Sequence, residues 1–133
     1  MGQVVGMQDS ILVDTDVLID FLRGDNKAVA FIENFTSRII LSSIVVAELY
    51  AGVKGSQELA VLENFLSLFR IVPVTAGIAK KGGIYKRDFG KSHGVGLADA
   101  ILAATADMEK AILKTLNVKH YPMIKGLQPA YRK

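Results

Sequence analysis

The stretch Ile11–Leu22, ILVDTDVLIDFL, decides how the rest of the chain is read. Three apolar residues, Ile11, Leu12 and Val13, run into the polar knot Asp14-Thr15-Asp16, and apolar spacing resumes at Val17, Leu18, Phe21 and Leu22. The first half has the character of a short buried strand. The second, apolar at i, i+1, i+4 and i+5, has that of the opening turns of a helix. In an open parallel α/β sheet, ligands lie outside the carboxyl ends of the strands, which is where Asp14 emerges. Helix capping is the simpler use of such an aspartate. A cap needs one side chain, so capping alone leaves either Asp14 or Asp16 without a task.

Working outward, Arg23-Gly24-Asp25 breaks the pattern, and Ala28, Phe31, Ile32 and Phe35 then recur at helical spacing. Arg38–Leu41 reads as a second strand, with Ser42 and Ser43 as cap candidates for a helix from about Ile44 to Val53. Ser56 is the expected cap of a helix carrying Leu59, Leu62, Leu66 and Phe69. Ile71–Val74 reads as a third strand, placed at a sheet edge by Pro73. Thr75 caps a helix to about Phe89 that Gly82-Gly83 should weaken, and Gly90–Gly96 reads as a loop. Leu97–Met108 is an Ala-rich helix, Ala111–Leu116 a last convincing strand, and the tail beyond Tyr121 is irregular with room for one more short strand. Strands alternating with helices predict an α/β three-layer sandwich, a mainly parallel sheet with helices on both faces.

At 133 residues the expectation is a single domain over the whole chain, with residues 1–8 a loose extension because Met7 would serve equally as a start. Half the residues are hydrophobic and 22% are charged, which excludes a disordered chain. The absence of cysteine excludes disulfides, thiolate nucleophiles and Cys-based zinc sites. With no basic leader and no long uncharged run, a cytoplasmic protein making no use of a membrane is expected. The charge is uneven: residues 1–72 hold five Lys/Arg against nine Asp/Glu, and residues 73–133 hold eleven against four. Solvated helix faces produce such asymmetry, and so does a metal site beside a polyanion-binding surface.

Three further positions bear on that choice. Glu48, in ILSSIVVAELYAG, is costly among apolar neighbours unless paired, metal-bound or on an exposed edge. Asp99, in GLADAILAATA, lies in the first turn of a helix, where the dipole alone would favour it. Asn117 follows the last strand in LKTLNVKHY, a place also suited to a plain turn residue. In a parallel sheet, Asp14, Glu48, Asp99 and Asn117 can converge on one rim. Carboxylates so gathered raise one another's pKa unless a cation neutralises them, and an all-oxygen site selects Mg²⁺ or Mn²⁺ over zinc.

The segments ILVDTDVLIDFLRGD, LSSIVVAELYAGV, LADAILAATA and LKTLNVKHY, in this order and spacing, resemble the PIN-domain family and within it the VapC-type toxin ribonucleases. The resemblance runs from about Ile11 to Tyr121. It implies a metal-dependent nuclease with Asp14, Glu48 and Asp99 as its carboxylates and Thr15 and Thr115 as hydroxyls beside the site. Many members are acidic where this chain has Asn117, which implies weaker hold on a second ion. Asp16 stands where Asn or Ser is frequent and would restore part of that charge. The implied chemistry is in-line hydrolysis of an RNA phosphodiester, with Lys80, Lys81, Lys86, Arg87 and Lys91 as candidates for the RNA backbone. Implied partners are RNA, a small antitoxin protein and a second copy in a homodimer. The helices Ala28–Phe35 and Leu59–Phe69 are candidate walls of the antitoxin groove, with core packing as their alternative role. His93 reads as a loop residue and His120 as local packing, since neither has a partner at ligand spacing.

Two other readings fit parts of the chain. ILVDTDVL also resembles the opening strand of haloacid-dehalogenase-type phosphatases, with Asp14 as phosphoryl acceptor and Asp16 as general acid/base. Those enzymes require a late acidic pair, whereas Thr115-Leu116-Asn117 carries no carboxylate. The neutral Asn117 also fits a non-cleaving member that binds RNA or protein.

Overall fold

The centre of the sheet is made of two strands buried along their whole length, β1 (Ile11–Val13) and β2 (Ile39–Ser42). Continuous burial, with no in–out alternation, is what a strand covered on both faces requires. The computed structural model describes residues 9–133; the extension expected over residues 1–8 lies outside them. Two edge strands, β3 (Arg70–Val72) and β4 (Ile112–Lys114), complete a sheet of order β3-β2-β1-β4 with every pairing parallel. Among the described residues, six helices flank it in an α/β three-layer arrangement: α1 (Thr15–Leu22), α2 (Asn26–Phe35), α3 (Ser43–Ala51), α4 (Gly55–Leu66), α5 (Ala76–His93) and α6 (Leu97–Glu109). Among the described residues, no helix is long and apolar enough to cross a membrane.

The strand order matters for function. The chain steps from β1 to β2 to β3 in one direction, then returns to place β4 on the other side of β1. Between β1 and β4 the order reverses, and the crevice outside the strand ends at such a switch point is where open α/β sheets bind ligands. Backbone pairing carries on past the strands there, with Asp14 N donating to Lys114 O at 2.9 Å.

Capping follows the sequence in most places. Asp14, Asp25, Ser42 and Thr75 each accept a backbone N–H at the start of α1, α2, α3 and α5. Ser56 does not cap α4, which begins earlier, at Gly55; the Glu58 carboxylate instead reaches back to Lys54 N at 2.9 Å. Pro73 lies just past β3, an edge strand as its presence demands. The tail adds one parallel bridge, Thr115 to Pro129, in place of a further strand.

The glycines of α5 correct two expectations. Gly82 does not interrupt the helix: a Cβ there would lie 2.9 Å from Ile101 Cγ1 and 3.0 Å from Ile101 Cα, so its absence lets α5 and α6 pack backbone to backbone. Gly90 is helical too, and the Lys86 side chain crosses the space beside it to donate to Val95 O at 2.8 Å. The expected Gly90–Gly96 loop therefore shrinks to the residues after His93, where Gly94 ends α5 in the left-handed conformation (φ 65°). His93 is accordingly a helical residue in the last turn, its ring edge-on to Phe89.

Candidate active site

Asp14 is the centre of the rim. It is 8% exposed, and its geometry is set by neutral donors on both oxygens. Oδ1 accepts from Thr15 N at 2.7 Å; Oδ2 accepts from Thr115 Oγ1 at 2.8 Å and from the Tyr121 hydroxyl at 2.7 Å. Thr115, just past β4 and fully buried, is itself oriented by Asn117 N, which donates to its Oγ1 at 3.0 Å. Capping and site-building are thus both true of Asp14, since different oxygens serve each.

Asp16 has a separate task. Its Oδ2 accepts from Leu116 N at 3.0 Å and Asn117 Nδ2 at 3.1 Å, with Thr115 Oγ1 at 3.3 Å. It ties the turn after β4 to the start of α1. An oxygen so occupied is a poor general acid/base, which speaks against the phosphatase reading. Burial, and next the charge of Asp14, raise its pKa to about 6.

Asp99 reaches the same place from the first turn of α6. Its Oδ1 lies 3.2 Å from the Tyr121 hydroxyl, and its Oδ2 lies 3.3 Å from His120 Nδ1. Burial and then the neighbouring Asp14 charge push its pKa up. His120 therefore faces the acidic rim instead of packing locally. The 3₁₀ turn Val118–His120 delivers it there, a placement that sequence spacing does not encode.

Glu48 stands apart. It lies on the exposed side of α3 and is joined to the rim through Thr15 Oγ1, which donates to its Oε1 at 2.6 Å. Among the described residues, no three carboxylate or imidazole side chains form a ready-made cation cage. Of the three expected carboxylates, Asp14 and Asp99 converge on the Tyr121 hydroxyl, and Glu48 is linked one residue away through Thr15. The donor set still fits a hard divalent cation. The atoms it offers are carboxylate oxygens, the donors on Asp14 are neutral, and Asp14 raises the pKa of both Asp16 and Asp99.

Tyr121 is the site residue that the sequence reading overlooks. Its side chain is buried, and burial, with Asp14 and Asp99 beside it, drives its pKa far upward, so the phenol stays protonated as a donor. The basic residues Lys80, Lys81, Lys86, Arg87 and Lys91 all lie on α5. Lys81 pairs with Asp107 at 3.4 Å, Arg87 with Asp88 at 2.9 Å, and Lys86 holds Val95 O; Lys80 and Lys91 are exposed.

Comparison with known proteins agrees with the fold. Ribonuclease VapC19 of Mycobacterium tuberculosis is 42% identical over 124 residues, spanning 90% of this chain and 98% of that protein. Ribonuclease VapC10 of the same organism is 38% identical over 124 residues, spanning 91% of this chain and 92% of its own length. Among solved structures, a toxin–antitoxin complex from Klebsiella pneumoniae matches with a TM-score of 0.81 at 28% identity, covering 93% of this chain and 100% of that one. The family model for the PIN domain matches residues 11–120, from the first residue of β1 to the histidine beside Asp99. By sequence, by topology and by the acidic rim at its switch point, the chain belongs to the PIN domain family.

Proposed function

We propose that this protein is a divalent-cation-dependent endoribonuclease and the toxin of a toxin–antitoxin pair. The relatives that support the reading are named ribonucleases, and the structural neighbour is a toxin–antitoxin complex. One observation carries it: Asp14 Oδ2 and Asp99 Oδ1, brought from distant parts of the chain, face a single phenol oxygen at 2.7 and 3.2 Å.

Asp14 and Asp99 are the residues that would hold one Mg²⁺ or Mn²⁺, with Glu48 completing the set from across Thr15. When bound, such an ion neutralises charge developing on a phosphodiester and makes water acidic enough to attack at neutral pH. The chain supplies the rest. Thr15 N, Thr115 and Tyr121 fix both oxygens of Asp14 before substrate arrives, so little reorganisation accompanies the reaction. Asp16 holds the turn that carries Thr115. Glu48, the most open carboxylate of the set, is placed to accept a proton from an attacking water, and exposed Lys80 and Lys91 offer charge to an RNA backbone.

An antitoxin segment has a place to lie. A groove of about 760 Å³ runs beside Glu48, with Ile19, Leu22, Leu49, Val53 and Val61 along its walls. These belong to α1, α3, α4 and the turn between α3 and α4; of the two helices expected as walls, α4 contributes and α2 does not.

Incubating the full chain with a structured RNA tests the activity. Cleavage is expected with Mg²⁺ or Mn²⁺ and is expected to stop with chelator, while a small phosphomonoester stays intact. Ion-independent cleavage, or turnover of the phosphomonoester alone, overturns the assignment.

A further inference from the structure

Tyr121 follows directly on the last residue matched by the family model and closes the 3₁₀ turn Val118–His120. Its side chain is 1% exposed, so the ring alone would satisfy the core, as a phenylalanine would. A hydroxyl at so buried a position is costly unless it is bonded. Here it lies 2.7 Å from Asp14 Oδ2 and 3.2 Å from Asp99 Oδ1, touching carboxylates from the end of β1 and the first turn of α6. These two elements have no covalent reason to keep a fixed spacing. Each carboxylate has a further partner: Thr115 Oγ1 donates to the same Oδ2 of Asp14, and His120 Nδ1 lies at the other oxygen, Oδ2, of Asp99.

We propose that Tyr121 is a positioning residue for the cation site, its hydroxyl clamping Asp14 and Asp99 at the separation a shared divalent ion needs. The inference rests on the cation-dependent reading above. A neutral phenol suits this role better than a lysine or arginine would, because its one proton, donated to Asp14 at 2.7 Å and shared with Asp99 at 3.2 Å, spans the pair without bringing a positive charge that competes with the ion. Outer-shell partners of this kind orient ligands, and their loss costs about 10- to 100-fold in metal affinity.

Calorimetric titration of the full chain with Mn²⁺ alone, without RNA, tests the clamp. Tyr121→Phe keeps the ring and is expected to weaken Mn²⁺ binding about 10- to 100-fold. Tyr85→Phe, which removes a phenol paired with Asp107, is expected to leave it unchanged. RNA cleavage by Tyr121→Phe is expected to recover as Mn²⁺ is raised, so that the defect lies in ion occupancy more than in the saturated rate. Affinity within about twofold of the parent, or tighter, overturns the clamp. If the parent itself binds no Mn²⁺ and cuts no RNA, the cation reading fails and the clamp with it; if the parent does both and Tyr121→Phe matches it, the clamp alone fails. Should Tyr121→Phe not fold, Mg²⁺ titration of the parent decides, followed by tyrosine difference absorbance. A saturable perturbation is expected, and a flat spectrum overturns the proposal.

Discussion

Two stretches of the sheet's carboxyl rim are built with one backbone device and carry different chemistry. At the ends of β2 and β3, Ser42 caps α3 through Ile44 N at 3.1 Å, and Ser43 Oγ accepts from Val74 N at 3.1 Å, closing the adjacent strand end. At the ends of β1 and β4, Asp14 caps α1, and Asp16 accepts from Leu116 N at 3.0 Å, closing the strand end beside it. The first stretch pairs neutral acceptors with amides. The second gathers Asp14, Asp16 and Asp99, more negative charge than its hydroxyl and amide donors offset. Topology accounts for the difference, because β2 and β3 follow in sequence whereas β1 and β4 flank the switch point. A capping position becomes a reactive one when the fold opens a crevice beside it.

The largest break between the two stretches is catalytic. Asp14→Asn or Asp99→Asn is expected to lower ion-dependent RNA cleavage about 100-fold or more with the circular dichroism spectrum unchanged. Ser42→Ala is expected to leave cleavage alone. Equal rates in all three variants would erase the distinction.

Ion linkage comes next. At about 100 times its Kd, a divalent ion that binds only the folded chain adds about 2.7 kcal/mol. That corresponds to a rise of roughly 10 °C in Tm for a domain of this size. The shift is expected in the parent and in Ser42→Ala, and is expected to be lost in Asp99→Asn, as read by thermal melts with and without Mn²⁺. Ser42→Ala has its own, smaller effect, a loss of about 1 kcal/mol from the missing cap, seen in urea unfolding.

The subtlest contrast is in pH. Burial, and next the Asp14 charge, push the Asp16 carboxyl up from the ordinary 3.8 to about 6 in the fold, so protonation favours the folded state. Measured against Asp16→Asn in ion-free buffer, parent stability should be highest below pH 3.8, decline as pH rises to about 6, and level off above it. A rise over that interval would contradict the raised value. Ser42 and Ser43, the acceptors at the other stretch, do not titrate and produce no such slope.

Much of the fold was legible because local rules and tertiary packing agree. Ile11–Val13 is apolar throughout and proves central; Ser42 and Thr75 cap where hydroxyls should; Pro73 borders an edge strand. The misreadings lie where a distant neighbour overrides a local signal. Gly82 and Gly90 look like helix breakers, yet Ile101 and the Lys86 side chain occupy the space their missing Cβ atoms leave. The rim was legible in part: the blocks holding Asp14, Thr15, Glu48, Asp99 and Thr115 mark its members, but spacing does not say that Glu48 joins through Thr15. Tyr121 and His120 were hidden because a 3₁₀ turn has no periodicity to reveal which way its last residues face. The signal available was the sequence His120-Tyr121 itself, two polar-tipped rings a few residues beyond the end of β4 at the switch point.

The central claim is that Asp14 and Asp99 share a divalent ion, and diffraction from crystals soaked in Mn²⁺ tests it most directly. An anomalous peak within bonding distance of both carboxylates is the result expected. A structure in which Mn²⁺ binds elsewhere, or in which Asp14 and Asp99 stay paired through Tyr121 with no ion at saturating Mn²⁺, would contradict it.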